Sequence, residues 1–180
     1  MWLGFVLLAF AVGCGIMIYN RIVRRNFMVK EAFSGIDVQL KRRHELIPRL
    51  VAVTQGYLQH ERTILEEVTA LRGKSLTVQG VNEKGSIESG ISQGIKSIFA
   101  VVENYPNLKA DGAFQQLHAS LVDVEEQLQL ARRYYNGAVR DYNTLIQSFP
   151  GVVLAGCLGY RPAEFFEVEL ATERKAPAVH

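Results

Sequence analysis

The sequence predicts an all-α protein: an N-terminal transmembrane helix followed by an elongated antiparallel up-down helical bundle of two long helices and several shorter ones. Three observations predict it. Residues 2–19, WLGFVLLAFAVGCGIMIY, carry no charge; apolar residues recur at alternating steps of four and three from Val29 to Leu71 and again from Phe114 to Phe149; and Gly, Ser, Asn and Pro gather between and after these stretches.

The uncharged stretch comes first. At about 1.5 Å per residue it nearly crosses a hydrocarbon core of roughly 30 Å, so residues 1–20 read as a membrane anchor with Trp2, Leu3, Phe5, Val6, Leu7, Leu8, Phe10, Ile16 and Ile18 toward lipid. A cleaved signal peptide would carry a basic n-region, whereas only Met1 precedes Trp2. Ala11-Val12-Gly13-Cys14 has the order of a lipoprotein cleavage site, but Ala11 stands where a larger aliphatic is usual, and lipidation of Cys14 stays open. The expectation is an uncleaved anchor. Ala9 with Gly13, and Ala11 with Gly15, lie four apart, a spacing that lets membrane helices approach closely; the plainer reading is apolar filler.

Charge sets the orientation. Residues 21–49 hold eight Lys/Arg against three Asp/Glu, and 50–180 hold twelve against fifteen. Arg21, Arg24, Arg25 and Lys30 follow the anchor directly, which predicts the N-terminus outside and a cytoplasmic C-terminal domain on the inner membrane. The same residues suit anionic headgroups, so the bilayer is the first expected partner. The slightly acidic remainder does not point to nucleic acid.

The first repeat runs Val29, Phe33, Ile36, Leu40, Arg43, Ile47, Leu50, Thr54, Tyr57, Glu61, Ile64, Val68, Leu71, apolar at ten of thirteen positions. It predicts one continuous coiled-coil-like helix of about 66 Å at the standard rise. The second, from Phe114 through Leu117, Leu121, Val124, Leu128, Ala131, Tyr135, Ala138, Tyr142 and Leu145 to Phe149, is unbroken and stops at Pro150. Between them, GKSLTVQGVNEKGS reads as a loop, and a short helix is expected near 86–104 with Ile87, Ile91, Ile95, Ile98 and Val102 on one face. GVVLAGCL, 151–158, reads as a last short helix. The bundle thus occupies 21–158, and 159–180 forms an extended C-terminal tail.

Pro48, inside the first repeat, removes a backbone donor, frees the His44 carbonyl and predicts a kink. Arg43 is the charge placed on the seam. If Leu71 lies level with Phe114, facing residue numbers sum to about 185, which sets Arg43 beside Asp141 and Tyr142 and predicts an Arg43–Asp141 pair, since an unpaired buried charge is costly. A snorkelled arginine is the competing reading.

The chemistry-bearing residues do not assemble into a catalytic pattern. His-Glu occurs at His44-Glu45 and His60-Glu61, but the zinc-protease spacing requires histidines at Pro48 and Ile64. Cys157 sits in an apolar run without a histidine neighbour, and no glycine-rich stretch ends in the Lys-Ser/Thr of a phosphate loop. No metal, no cofactor and no enzymatic activity are expected. The tail Phe166-Glu167-Val168-Glu169-Leu170 alternates with period two, as a strand does. One strand leaves its own backbone unpaired, so Phe166, Val168 and Leu170 should dock on a helix seam or meet another chain, or else form a loose cover for the bundle base. Leu46, Val51, Val53, Leu58 and Leu65, off the main register, also require a second partner surface, in helix 86–104 or in a neighbouring subunit.

YNRIVRRNFMVKEAFSGIDVQLKRRHELIPRLV, then GYLQHE, ENYPNLKA, ARRYYNGAVRDYNTLIQSFP and FFEVE together resemble the LemA family of bacterial membrane proteins over nearly the whole chain. The resemblance implies a single-pass anchor with a cytoplasmic helical bundle and no established catalytic residues. One branch of the family is associated with membrane compartments of magnetotactic bacteria, and gene neighbourhood associates others with membrane metalloproteases. The functional expectation is a non-catalytic, self-assembling scaffold that organises or shapes the membrane; the alternative is an adaptor for a membrane-bound protease.

Overall fold

The computed structural model describes residues 2–58 and 60–166. Among these residues six helices follow in order: α1 (Trp2–Thr54), α2 (Arg62–Ser75), α3 (Val81–Val102), α4 (Pro106–Lys109), α5 (Gly112–Gln147) and α6 (Gly151–Leu158). Among the described residues there is no strand. The all-α class holds, with α1 and α5 as the two long helices. Two compact units divide the chain. One takes the residues up to Ile36 with Ala131–Phe165, the other Asp37–Leu130 with Phe166.

In the first unit, Ile22, Ala32 and Ile36 of α1 are buried, as are Val139, Tyr142 and Ile146 of α5. Phe33 and Tyr135 stack at 5.6 Å, and Arg25 reaches Asp141 at 3.0 Å. Facing numbers therefore sum to 166–168, which fixes the helices as antiparallel. Gly151 opens α6 tightly against α5, where a Cβ would stand 2.1 Å from the Leu145 carbonyl oxygen. Gly159, at φ 73°, closes α6 in the left-handed region that glycine occupies without penalty, and Tyr160 N–H donates back to the Ala155 carbonyl at 3.0 Å.

In the second unit the helix predicted from Val29 to Leu71 is broken. α1 stops at Thr54, residues 55–57 turn, and α2 begins at Arg62. Local chemistry and one distant partner mark the stop. Thr54, fully buried, turns its hydroxyl onto the Leu50 carbonyl at 2.8 Å, Gly56 follows, and Glu61 accepts from the Tyr105 hydroxyl at 2.9 Å. Thr54 and Glu61 are two of the three polar entries in the repeat, and they flank the break. α2 then packs on α3 at close range: a Cβ on Gly94 would lie 2.3 Å from Val68 Cγ2, and one on Gly90 would lie 3.1 Å from Leu71 Cδ1. α3 also begins earlier than expected, at Val81.

The core of this unit joins Ile47 and Leu50 of α1, Leu65 and Val68 of α2, Ile91, Ile95 and Ile98 of α3, and Phe114 and Leu121 of α5. Leu58 and Leu65 are buried in it, while Leu46, Val51 and Val53 pack against its edge. The second surface these residues require thus lies in the same chain. Asp111 accepts from the free Ala113 and Phe114 amides at 2.8 and 3.0 Å and so starts α5, the usual task of an N-terminal carboxylate.

Candidate functional site

α1 opens with the predicted anchor. Trp2, Leu3, Phe5, Val6, Leu7, Leu8, Phe10 and Ile16 are all exposed, and this part of the helix is long and apolar enough to cross a membrane. Ile18 is half-buried. Around Gly13 and Gly15 the space is open. Arg21, Arg24 and Lys30 are exposed, Lys30 lying 5.5 Å from the Phe27 ring centre, and Arg25 bridges to Asp141.

That bridge overturns the predicted Arg43–Asp141 pair. The second unit has nearly the same register as the first: Arg42 meets Asp123 at 2.7 Å and Arg43 meets Glu125 at 2.5 Å, sums of 165 and 168, where about 185 was expected. The error traces to Leu71, which belongs to α2 and cannot set the height of Phe114 against α1.

Arg43 is fully buried, and four helices supply its surroundings. Its Nη2 donates to the carboxylate of Glu88 and to the Glu88 carbonyl at 3.2 Å, and its Nη1 donates to Ser92 Oγ at 2.7 Å and Glu125 Oε1. Ser92 in turn donates a hydrogen bond to Glu125 Oε2 at 2.8 Å. Glu88, also fully buried, accepts from Ser75 Oγ and lies 2.9 Å from His44 Nε2. Burial raises the Glu88 pKa; the hydrogen bond from His44, the Arg43 charge and the Ser75 hydroxyl outweigh it and hold the carboxyl at about 2, below the ordinary 4.5. An ionised carboxylate only accepts, so His44 Nε2 carries the proton in this contact.

Pro48 completes the cluster from the backbone side. It lies inside α1, and the carbonyl it frees on His44 accepts from Arg72 Nε of α2 at 3.0 Å. Two guanidinium groups and two carboxylates therefore balance at one level of the unit. The residues sequence reasoning missed here are Glu88, Ser92, Ser75 and Glu125. Glu88 had a legible signal, because it precedes Ile91, Ile95, Ile98 and Val102 at alternating steps of three and four and so puts a charge on the apolar face of α3.

A second constellation belongs to the first unit. The chain after α6 runs extended along α5, and side chains satisfy its backbone: Asn143 donates to the Ala163 carbonyl at 2.9 Å and accepts its amide at 2.8 Å, Tyr142 donates to the Arg161 carbonyl at 3.1 Å, and Tyr135 to the Glu164 carbonyl at 2.8 Å. Docking on a helix seam is what the structure shows for 161–165. Phe166 is only 1% exposed and so offers no surface to a second chain; Val168 and Leu170 lie outside the described residues.

What these parts can do chemically is limited. A carboxyl held at about 2 is far too weak a base for proton abstraction near neutrality. His60 is exposed in the turn before α2, and among the described residues no three His, Cys, Asp or Glu side chains converge as a metal site requires.

An apolar N-terminal helix able to span a bilayer, continuous with a helix that buries Arg43 against Glu88 and Glu125, defines a membrane-associated all-α protein. The model of the LemA family matches residues 32–180, and the chain belongs to that family. Similar proteins include magnetosome protein MamQ 2 of Paramagnetospirillum magneticum, 25% identical over 84% of this chain, and magnetosome protein MamQ of Magnetospirillum gryphiswaldense, 23% identical over the same share. The chain spans 65% of the length of each. Protein LemA of Metamycoplasma hominis is 25% identical over 81% of this chain and 69% of its own length.

Proposed function

We propose that this protein is a non-catalytic scaffold, held in the membrane by residues 1–20 with its helical bundle in the cytoplasm, that self-assembles and so organises or shapes the bilayer. One observation carries the reading: the titratable groups buried with Arg43 are spent on one another, while the apolar surface of the N-terminal helix is turned outward. A bundle built in this way acts through its exterior. Two magnetosome proteins among its relatives support a role at a membrane, and the small residues Ala9 and Ala11, exposed, with Gly13 and Gly15, open around their backbone, support contact between anchors. Size-exclusion chromatography with light scattering on detergent-solubilised protein tests the assembly. A discrete oligomer at micromolar concentration is expected, and a clean monomer would remove the claim.

A second reading, an adaptor for a membrane-bound protease, is favoured by a groove of about 860 Å³ along the end of α1 and the start of α2, lined by Val51, Leu58, Leu65, Arg62 and Glu66. Its signature would be a monomer that cross-links to a different protein.

A further inference from the structure

Residues 149–160, FPGVVLAGCLGY, contain no charge, yet most of them are not buried. Phe149 is 84% exposed, Val153 57% and Leu158 51%; Val152 and Cys157 are exposed as well, and only Gly151 and Ala155 turn inward. A short helix that apolar would normally fold its face away. α6 is fixed so that it does not. Gly151 sits against the Leu145 carbonyl at one end, and beyond Gly159 the chain is strapped to α5 by Tyr142, Asn143 and Tyr135.

Its surroundings indicate what covers it. A depression of about 500 Å³ within this unit is lined by Ile18, Arg21 and Arg25 of α1 together with Ser148, Phe149 and Gly151. The entrance to α6 therefore stands beside the last turn of the apolar span, at the level where that span would meet lipid headgroups. Arg21, Arg25 and Arg140 lie along the same depression with one carboxylate, Asp141, which bridges to Arg25 at 3.0 Å and lies 4.0 Å from Arg140, so the border keeps a net positive charge; Arg24 is exposed nearby in sequence, and Arg140 is 74% exposed. Apolar side chains at the depth of the acyl boundary with arginines at headgroup level form the pattern of an interfacial helix on an anionic bilayer.

We propose that α6 and Phe149 are a second membrane contact, in which Phe149, Val152, Val153 and Leu158 lie in the interface of the bilayer that the anchor crosses, while Arg21, Arg24 and Arg140 meet anionic headgroups. This rests on the anchored reading given above. The lipid surface is the occupant because the apolar face continues the lipid-facing part of α1 and is bordered by positive charge.

The test uses the full chain reconstituted in phosphatidylcholine–phosphatidylglycerol vesicles. A single environment-sensitive fluorophore is placed at natural Cys157 in a Cys14→Ser background, or at Val153→Cys, Phe10→Cys or Glu126→Cys with both natural cysteines replaced. Probes at 157 and 153 should be quenched by lipids carrying a nitroxide near the headgroup and be several-fold less accessible to iodide than the probe at 126. Iodide access at 153 and 157 equal to that at 126, with the probe at 10 still reporting lipid, would overturn the second contact and leave the anchor standing. Shielding from both quenchers would mean that protein covers α6, which also overturns it. Iodide access at position 10 would remove the anchored reading, and the second contact with it.

Discussion

Arg43 and Glu88, one from α1 and one from α3, are paired at zero solvent exposure, and each is held by groups from further helices. Such a pair contributes little net stability over a well-packed apolar substitute, but leaving either charge unpaired costs about 3–5 kcal/mol. Arg43→Met should therefore destabilise the bundle by about that much in denaturant unfolding followed by circular dichroism, because Glu88 and Glu125 then lose their shared cation. The double variant Arg43→Met, Glu88→Leu should recover part of the loss. Equal instability of the single and double variants would contradict the coupling.

Acid should unfold the protein partly through Glu88. Its folded pKa, about 2, lies below the ordinary 4.5, so the stabilisation is complete above the ordinary value and is lost as pH falls from about 4.5 towards 2. At 1.36 kcal/mol per unit, the shift corresponds to on the order of 3 kcal/mol at neutral pH. Glu88→Gln should be less stable at pH 7 and flatter in stability between pH 4.5 and 2 than the unaltered protein. Parallel curves for the two would show that other carboxylates carry the acid sensitivity.

Pro48 and Arg72 should be coupled through a single oxygen. Since no amide at position 48 reaches the His44 carbonyl, Arg72 Nε is its donor, and Arg72→Ala should cost about 1–3 kcal/mol for the acceptor left without it. In a Pro48→Ala background the restored amide supplies an intrahelical donor, so the same substitution should cost less. A double-mutant cycle on thermal unfolding measures the difference, and strict additivity would count against the shared acceptor.

Gly94 marks the closest approach of α2 to α3. Gly94→Ala places a methyl group 2.3 Å from Val68 Cγ2 and should cost about 1–3 kcal/mol by overpacking. Gly90→Ala, meeting the movable end of Leu71 at 3.1 Å, should cost less. Combining Gly94→Ala with Val68→Ala should restore part of the melting temperature. If Gly94→Ala melts with the unaltered protein, α2 and α3 do not pack this closely.

Most of the helical content was legible because it rests on local rules. The charge-free run, the second apolar repeat with its stop at Pro150, and GVVLAGCL appear as α1, α5 and α6 nearly as read. The break at 55–61 was less visible, since a sustained heptad pattern continues on paper through Thr54 and Glu61 whether or not the chain turns there. The polar cluster was half visible: Arg43 announced itself as a charge on a seam, but its partner could be chosen only after the register was known. Tyr142 and Asn143 hold the backbone of residues 161–163, and no local pattern in the sequence names such partners.

Composition and periodicity alone set the all-α class, the membrane-length N-terminal segment and the carbonyl freed by Pro48, for these depend on a residue's nature and its near neighbours. The partner of Arg43, the donor to His44, the close fold of α2 on α3 and the outward face of α6 came from packing. Each requires residues far apart in the chain to arrive at one height, and a single early turn at Gly56 shifts every such height after it.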